Sequence, residues 1–459
     1  MLIGQLAVML NGVIDTVMAG RLSPADLAGV GLGNSIQISV YIALTGIILG
    51  IGPIAGQHYG AKRYSDIGAT FQQGIWLACG LAVIGVSLLL ATPIWMSTIQ
   101  PPPEVIPVAT NYLIAGAVGL PAALFFRVFY TTSTAISLPR VVMTIQLVVL
   151  VLKVPLNNLF IYGFDFLGLI TLRPLGGAGC SLATAVLSFL SVAMALIVIK
   201  FDARYQPFGF TFRNKIDRNR LKEMLRLGVP IGVTYTIEVT SFTFIALMIA
   251  RLGVDVAAAH QVTSNMLGMA YMLPLSMSNA ISTLTAQAIG ADDYQRARKT
   301  GQYGIWLVLA ASTMLGIGYA IFRFDIPTWY IGNATDKQGI IAAAGLLIGI
   351  LSVFIVFDAL QTVIAFILRA YKVATLPGVI YAVCLWGIGL GGGWWITYGV
   401  QYAGPRPTYA QGAAGFWWAA LLGLIVASIA LGVLLRYQWK ISKGLGKSSQ
   451  AVRNPSPAL

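Results

Sequence analysis

The sequence predicts an all-α integral membrane protein with twelve transmembrane helices in two pseudo-symmetric six-helix lobes. Three observations predict this class: the composition, the length of the uncharged runs and an internal repeat. Of the 459 residues, 57% are hydrophobic and only 10% are charged, whereas a soluble domain carries roughly 25% charged residues. Uncharged stretches such as Gly74 to Met96 are long enough to cross a hydrocarbon core of about 30 Å as a helix.

Apolar runs separated by charged or Pro/Gly-rich breaks give twelve candidate helices. Boundaries obtained in this way are accurate to about two to four residues. The candidates lie at residues 1–19, 34–55, 69–96, 108–133, 139–162, 176–200, 225–250, 261–288, 300–322, 340–368, 375–399 and 411–436.

The only long polar connection runs from Lys200 to Arg226 and separates the first six candidates from the last six. It predicts an N-terminal lobe at 1–200, a cytoplasmic inter-lobe loop at 201–224, a C-terminal lobe at 225–436 and a basic cytoplasmic tail at 437–459. Most lysines and arginines fall on the side of the membrane that holds this loop and the tail, and cytoplasmic loops collect positive charge. We therefore expect a multi-pass protein of the bacterial inner membrane with both termini in the cytoplasm. The net charge of +14 serves this topology, so nucleic acid is not expected as a partner.

The two halves repeat each other at a constant offset. The segment AGQHYGAKRYSDIGATFQQGIW from Ala55 aligns with TAQAIGADDYQRARKTGQYGIW from Thr285, so that Gln57 recurs as Gln287. Because an even number of helices separates the copies, both halves have the same orientation and are related by an axis along the membrane normal. A central cavity is then expected between the lobes.

Small residues and cysteines add two further expectations. Gly46 and Gly50 lie four residues apart on one helical face, which is typical of close helix packing. Packing inside the chain is favoured over a dimer interface, so a monomer is expected. The three cysteines lie far apart in apolar runs and indicate neither a disulfide framework nor a metal site.

Three carboxylates lie inside the predicted helices away from loop ends: Asp15, Glu238 and Asp358. An ionisable side chain at the centre of a membrane helix costs at least about 2.5 to 3.5 kcal/mol, so one that is present is a functional candidate. We interpret all three as candidates for cation coupling. The alternative is a neutral carboxyl group that fixes helix packing.

Neutral oxygen-bearing side chains accompany the two carboxylates of the second lobe. Hard oxygen ligands suit Na⁺, and a carboxylate pair binds protons equally well, so Na⁺ and H⁺ both stay open as the coupling ion. Glu238 and Asp358 are then the expected Na⁺ ligands, and no other cofactor is expected. The neighbours that would complete the site are Thr234, Thr236 and Ser241 beside Glu238, and Gln361 and Thr362 on the helical face of Asp358.

Two cations also lie within predicted helices. Lys153 is deep in the fifth helix, far from both ends, and shares a face with Asn157. We predict that Lys153 pairs with Asp15 as an internal counter-ion, which leaves coupling mainly to the second lobe. The alternative is a lysine that faces an aqueous cavity without a coupling role. Arg127 lies closer to the cytoplasmic half of the fourth helix and is expected to anchor structure.

The motifs assembled along the chain resemble those of the multidrug and toxic compound extrusion (MATE) family, in particular its NorM-like bacterial branch. The resemblance covers almost the whole chain, and the motifs are specific only in combination. They are IDTVMAG from Ile14, GQHYGA from Gly56, KVPLNNLFIYG from Lys153, LGGAGC from Leu175, GVPIG from Gly228, AAHQV from Ala258, LRAYKV from Leu368 and the segment around Glu238.

The resemblance implies export of small cationic amphiphilic drugs, dyes and fluoroquinolones by alternating access, driven by inward movement of Na⁺ or H⁺. Small-molecule drugs and the surrounding membrane lipid are then the expected partners. The family's membrane carboxylates match Asp15, Glu238 and Asp358. The substrate-binding positions that it implies are Phe242, Gln261, Asn157 and Asp358.

Two departures from the family pattern and two rival functions accompany this interpretation. Met1 already lies inside the first apolar run, so we expect a natural start upstream or a first helix that is short at its cytoplasmic end. Lys153 puts an N-lobe sodium site in doubt. A lipid-linked oligosaccharide flippase would need a strongly cationic cavity, but the predicted helices offer only Arg127 and Lys153. An integral membrane enzyme is not expected, because no catalytic grouping lies near an interface and His58 and His260 lack a second ligand nearby.

Overall fold

The computed structural model of the chain describes residues 2–166, 170–172, 174–210, 215–330, 337–402, 404–408 and 411–453. Three predicted features fall partly outside the described residues: Met1 of the first helix, residues 211–214 of the inter-lobe loop, and residues 454–459 of the basic tail. Internal contacts divide the chain into two compact units, Met1–Gly232 and Val233–Leu459.

The first unit contains eight helices before the inter-lobe loop. A short antiparallel hairpin, β1 (Phe164–Phe166) with β2 (Ile170–Leu172), connects the last two of them and pairs Asp165 with Thr171. The helices are α1 (Leu2–Gly20), α2 (Pro24–Ile48), α3 (Ile51–Gly60), α4 (Tyr64–Leu90), α5 (Thr92–Ile99), α6 (Val105–Ala135), α7 (Pro139–Tyr162) and α8 (Ala178–Phe201).

Helix α9 (Arg218–Ala250) belongs to both units, because the division falls between Gly232 and Val233. In the second unit, α14 (Thr375–Tyr381) continues as a π-helix over Ala382–Gly391, and a further turn, α15 (Gly392–Trp394), leads into a second π-helical stretch, Trp395–Gly399. The other helices are α10 (Val254–Gly290), α11 (Tyr294–Ile321), α12 (Asp325–Tyr330), α13 (Lys337–Ala370) and α16 (Ala414–Arg453).

The predicted fold class is confirmed: the described chain is helical apart from the hairpin and the connections. Eleven helical segments in the described residues are long and apolar enough to cross a membrane. The predicted eighth segment is α10, which is 37 residues long but is not among the eleven. Its serine, threonine, asparagine and glutamine side chains lower its hydropathy, and several of them, such as Thr263, Ser278 and Thr285, are buried inside the unit.

The structure corrects several predicted helix ends. Helices α9, α10 and α11 begin six or seven residues before their predicted starts, and α2 and α16 differ more. Helix α2 begins at Pro24, ten residues before the predicted start, because Ser23 accepts a hydrogen bond from the backbone N–H of Asp26 and Pro24 occupies the first turn. At its other end the predicted segment breaks between α2 and α3 at Gly50. Helix α16 continues to Arg453 instead of ending at 436, so that most of the predicted basic tail extends the last helix.

One helix is central in each unit. In the first unit α6 contacts α2, α3, α4, α5, α7 and α8. In the second unit α13 contacts α10, α11, α12 and α16 and supplies the buried side chains Leu347, Leu351 and Phe354 to the core. Arg127 lies on α6 and Asp358 lies on α13, so each central helix carries one of the ionisable residues that the sequence singled out.

The connection between α8 and α9 is docked on the first unit. Tyr205 donates a hydrogen bond to Ser133 Oγ at 2.9 Å, and burial raises the pKa of Tyr205 to about 12, so its phenol stays protonated. Gln73 binds the backbone on both sides, donating to the Lys215 carbonyl at 2.9 Å and accepting from the Asp217 N–H at 3.0 Å. The predicted inter-lobe loop is therefore packed against its own unit over much of its described length.

Candidate cation and substrate sites

The first unit holds a buried ion pair between α1 and α7. Lys153 Nζ lies 2.9 Å from Asp15 Oδ1, and Asn157, one turn further along α7, donates to the same oxygen at 2.7 Å. Lys153 is only 1% exposed and Asn157 is fully buried. The structure thus brings together the two residues that were paired from the sequence, and adds Asn157 as a second donor to the carboxylate.

Oxygen atoms surround the ammonium group of Lys153 on the α8 side as well. It donates to the Cys180 carbonyl at 3.2 Å and to the Thr184 hydroxyl. Each of the three N–H groups of the ammonium therefore has one acceptor, so all of its hydrogen-bond donors are satisfied. Because the lysine and Asp15 neutralise each other inside the unit, this carboxylate has a built-in cation.

The second unit brings two carboxylates together without such a one-to-one partner. Asp358 on α13 is 5% exposed and accepts a hydrogen bond from Gln361 Nε2 at 3.0 Å. Glu238 on α9 is half-buried and interacts electrostatically with Asp358. Gln361 Oε1 is buried and has no hydrogen-bond partner among the described residues, so one neutral oxygen beside the carboxylates is uncommitted.

Sequence reasoning missed Arg369 as part of this site. The predicted tenth helix ends at 368, which places Arg369 in the following loop, but α13 extends to Ala370 and Arg369 is only 8% exposed. Its guanidinium donates to Tyr235 Oη at 3.3 Å and lies 4.3 Å from the centroid of the Phe366 ring. Arg369 also interacts electrostatically with Glu238. Arg369 lies eleven residues after Asp358, on the same face of the helix and about three turns away. That spacing becomes a signal only once the helix is known to extend past Arg369.

Tyrosines complete the same cluster and were also missed. Tyr271 of α10 and Tyr381 at the end of α14 both interact electrostatically with Glu238 and with Asp358. Aromatic residues near interfaces are common in membrane helices, so nothing in the sequence distinguished these two. Tyr271 and Tyr381 thus act on both carboxylates, while Tyr235 accepts a hydrogen bond from the Arg369 guanidinium.

The hydroxyl residues expected beside Glu238 differ in their surroundings. Thr234 and Ser241 are buried, whereas Thr236 is exposed. Ser241 donates to the Leu385 carbonyl at 3.1 Å, inside the first π-helical stretch. Its hydroxyl therefore serves the packing of α9, which leaves Gln361 as the clearest neutral ligand. In the described residues there is no group of three or more His, Cys, Asp or Glu that would hold a metal ion.

Phe242 begins a chain of aromatic contacts one turn beyond Glu238 on α9. Its ring meets that of Phe354 edge-on at 6.2 Å, and Phe354 meets Trp417 at 5.5 Å. Trp417 Nε1 donates to His260 Nδ1 at 3.2 Å, so this buried histidine is used in packing. Phe242 itself stays half-buried and presents an apolar surface near the carboxylates.

The remaining two substrate positions lie apart from this cluster. Gln261 is exposed on α10 and donates to Asn265 Oδ1 at 3.5 Å. Asn157 is fully buried beside Asp15 in the first unit. Glu238, Asp358 and Phe242 thus all lie in the second unit, where Gln261 is exposed, and Asn157 belongs to the first unit.

Comparison with known proteins agrees with this architecture. The MatE family model matches residues 1–159 and 230–395, one segment in each half. Two proteins described as probable multidrug resistance protein NorM are similar over nearly the whole chain. That of Aromatoleum aromaticum is 36% identical, covering 95% of this chain and 91% of the relative, and that of Neisseria meningitidis serogroup B is 32% identical, covering 94% and 90%.

Solved structures support the fold. A eukaryotic MATE transporter aligns with a TM-score of 0.81 at 19% identity, covering 97% of this chain and 96% of the other. An outward-facing MATE family transporter of the MOP superfamily aligns with a TM-score of 0.83 at 17% identity, covering 97% and 94%. The chain therefore belongs to the MatE family, the multidrug and toxic compound extrusion family that its motifs resemble, and is a multi-pass membrane transporter and not an enzyme.

Proposed function

We propose that the chain exports cationic amphiphilic drugs, dyes and fluoroquinolones from the cytoplasm by antiport with inward-moving Na⁺ or H⁺, through alternating access. One observation carries the proposal: Glu238 interacts electrostatically with Asp358 and with the buried Arg369, and neither carboxylate has an ion-pair partner in the described residues. Two potential negative charges against one positive charge leave room for one monovalent cation. The relatives named as multidrug resistance proteins support drugs as the cargo.

The exchange follows from competition for that negative charge. A Na⁺ ion or a proton bound at Asp358 neutralises the site, and a cationic drug near Phe242 is then no longer attracted to it. When the Na⁺ ion or proton leaves, the site regains its negative charge and binding of the cationic drug is favoured. Because a ligand shifts a conformational equilibrium only through its different affinity for the two states, the coupling ion and the drug must favour opposite-facing states.

The Asp358 side chain is prepared for a small cation by its neighbour. Gln361 directs its amide N–H to Asp358 Oδ1 and leaves its own Oε1 buried and unpartnered in the described structure. A buried carbonyl oxygen without a donor carries a desolvation cost of about 1 to 3 kcal/mol. A Na⁺ ion would remove this cost directly, and a protonated carboxyl or a water molecule would do so by donating a hydrogen bond.

The proposal includes the setting of the transporter. Both termini are taken to be cytoplasmic in the bacterial inner membrane, and the chain is taken to act as a monomer. For the monomer, the supporting contact is that Gly50, in the small-residue face of α2 and α3, packs against Gly228 of the same unit. A flippase for pyrophosphate-linked lipids is not favoured, because Lys153 is already neutralised by Asp15.

Transport in proteoliposomes tests the coupling site. Ethidium efflux is measured with an imposed Na⁺ gradient and, separately, an imposed proton gradient, for wild type, Glu238→Gln and Asp358→Asn. We expect one gradient to stimulate wild-type efflux and both variants to lose that stimulation. Asp255→Asn, which removes an exposed acidic residue of α10 in the same unit, is the matched control and should keep it. Gradient-stimulated efflux in both site variants would refute the coupling role of the pair.

A further inference from the structure

Arg127 is a cation inside the first unit that has no acidic partner among the described residues. It lies on α6, is half-buried, and appears in none of the ion pairs of the described residues. Its Nε is buried and has no hydrogen-bond acceptor within the described structure. Two acidic residues of the unit are engaged with other cations, Asp15 with Lys153 and Asp66 with Arg220.

The position of Arg127 in the helix makes this isolation costly. It lies eight residues before Ala135, the end of α6, which corresponds to about 12 Å of helix rise. A charged side chain within a membrane helix costs at least about 2.5 to 3.5 kcal/mol, and such residues face the interior of the bundle or a water-filled cavity. Because α6 packs against six other helices of the unit, this rule assigns the accessible part of Arg127 to the interior.

Phenol groups surround the guanidinium. The Tyr130 ring centroid lies 4.7 Å from the Arg127 carbon Cζ, and Tyr41 of α2 interacts with Arg127 electrostatically. Gln5 of α1 donates to Tyr130 Oη at 3.3 Å and fixes that ring. Helix α6 thus contributes the guanidinium and the Tyr130 phenol, and α2 contributes the Tyr41 phenol. Gln5 of α1 holds the Tyr130 ring in place by its hydrogen bond.

We propose that Arg127, Tyr41 and Tyr130 form an anion-binding subsite that takes the carboxylate of a zwitterionic amphiphile. A guanidinium and phenol O–H groups are hydrogen-bond donors that suit a carboxylate, and the guanidinium fork binds its two oxygens together. The tyrosine rings offer contact to a flat aromatic body attached to that carboxylate. The inference rests on the proposed drug-export function and narrows it: Arg127 selects fluoroquinolones, which carry a carboxylate and an amine, relative to purely cationic dyes.

The test compares one drug with and without its negative charge. Efflux of norfloxacin and of its ethyl ester is measured in proteoliposomes of phosphatidylcholine for wild type, Arg127→Gln and Arg127→Lys, with Arg140→Gln, an exposed cation on α7, as the matched control. We expect Arg127→Gln to lower the efficiency for the acid about tenfold more than that for the ester, a ratio equivalent to about 1.4 kcal/mol. The acid-to-ester ratio of Arg127→Lys should lie between those of wild type and Arg127→Gln, because lysine keeps the positive charge but cannot bind both carboxylate oxygens with a planar guanidinium.

Other outcomes separate the subsite from the function on which it rests. Equal losses for acid and ester would overturn the subsite, whereas gradient-driven ethidium export by the same wild-type preparation would leave the proposed function intact. If the acid-to-ester difference between wild type and Arg127→Gln arose only in vesicles that contain phosphatidylglycerol, the effect would require an anionic lipid and the proposal would be wrong. Should Arg127→Gln not yield folded protein, the acid-to-ester ratio of Tyr41→Phe decides, and an unchanged ratio would count against the subsite.

Discussion

At the residue scale, the buried charges of the two units are balanced differently. Asp15 has Lys153 at 2.9 Å, so the first unit contains a neutral pair. Glu238 interacts electrostatically with both Asp358 and Arg369. Arg369 binds Tyr235 and is not bonded to either carboxylate in the described structure. A carboxylate that is already paired with a lysine binds an external cation weakly. A carboxylate without such a partner is free to bind one.

The Asp15–Lys153 pair leads to a stability prediction. Lys153→Ala leaves Asp15 buried next to Asn157 without its cation, and removal of one partner of a buried pair costs about 3 to 5 kcal/mol. We expect a large fall in the thermal unfolding midpoint of the purified protein in detergent. The double variant Asp15→Asn with Lys153→Met removes both charges and should recover most of the loss. A single variant as stable as wild type would show that the pair is open to water.

Arg369 leads to a prediction about the affinity for the coupling ion. Arg369→Gln removes the positive charge that acts on Glu238, so the site becomes more negative and binds a cation more tightly. We expect the Na⁺ concentration, or the proton concentration, for half-maximal stimulation of efflux to fall by about tenfold, or 1.4 kcal/mol. Arg369→Lys keeps the charge and should stay near wild type. A higher concentration requirement in Arg369→Gln would contradict a charge-compensating role.

These residues also show how far a sequence supports a site. Asp15, Lys153, Glu238 and Asp358 could be identified because each is an isolated charge in an apolar run. Arg369 could not, since it lies three residues before Lys372 and resembles a loop cation until the end of α13 is known. Distances between helices are absent from a sequence, which is why the tyrosines around Glu238 were missed.

At the element scale, close backbone contact joins α9 to α2 within the first unit. A Cβ at Gly228 would collide with the backbone carbonyl oxygen of Ile47, and one at Gly50 would lie 2.8 Å from the Gly228 nitrogen. Backbone atoms cannot rotate away as side chains do, so this approach requires glycine on both sides. The GVPIG motif from Gly228 therefore has a packing role at the start of α9.

Gly228→Ala tests this close contact. We expect a loss of roughly 1 to 3 kcal/mol, the usual cost of inserting atoms into a packed interface, measured by thermal unfolding in detergent. Gly80→Ala in α4 is the matched control, because no heavy atom of the described structure lies within 4 Å of its added methyl group. That change should be neutral or stabilising, as an alanine restricts the unfolded chain. Equal effects of the two substitutions would contradict the packing argument.

The docked connection between α8 and α9 is the second feature at this scale. Phe208 is 5% exposed and its ring meets that of Tyr64 edge-on at 5.5 Å and lies 6.2 Å from that of Tyr59. Composition alone predicted a polar linker here, because the charged residues outnumber the aromatic ones. The packing of those few aromatics against α3 and α4 decides the structure of the segment.

Limited proteolysis tests the docking. In Phe208→Ala the segment loses its main apolar anchor, and we expect trypsin to cut after Arg204 or Lys215 several-fold faster than in wild type. Phe201→Ala is the control, because Phe201 is 72% exposed and its removal should leave the cleavage rate near that of wild type. Equal and rapid cleavage of wild type and both variants would mean that the connection between α8 and α9 is not docked on the first unit.

At the scale of the whole molecule, the repeat explains both the success and the limit of sequence reasoning. Conserved spacing of small and aromatic residues in two halves was sufficient for twelve helices in two lobes, because hydropathy and helix length are local properties. The division inside α9, at Gly232, was not visible, since it depends on which neighbours the first turns of the helix contact. Charge is where the halves diverge: at the offset of the repeat, Glu238 aligns with Val8 and Asp15 with Ile245.

That asymmetry predicts which half carries ion coupling. The double variant Asp15→Asn with Lys153→Met removes a neutral pair, so we expect efflux that still responds to the coupling gradient, even where its rate falls. Asp358→Asn removes a carboxylate that has no ion-pair partner in the described residues, so the gradient response should be lost. The measurement is the ratio of efflux with and without the gradient in proteoliposomes, which cancels differences in protein amount. If the double variant lost that ratio and Asp358→Asn kept it, coupling would belong to the first unit, and the uncompensated charge in the second would need another explanation.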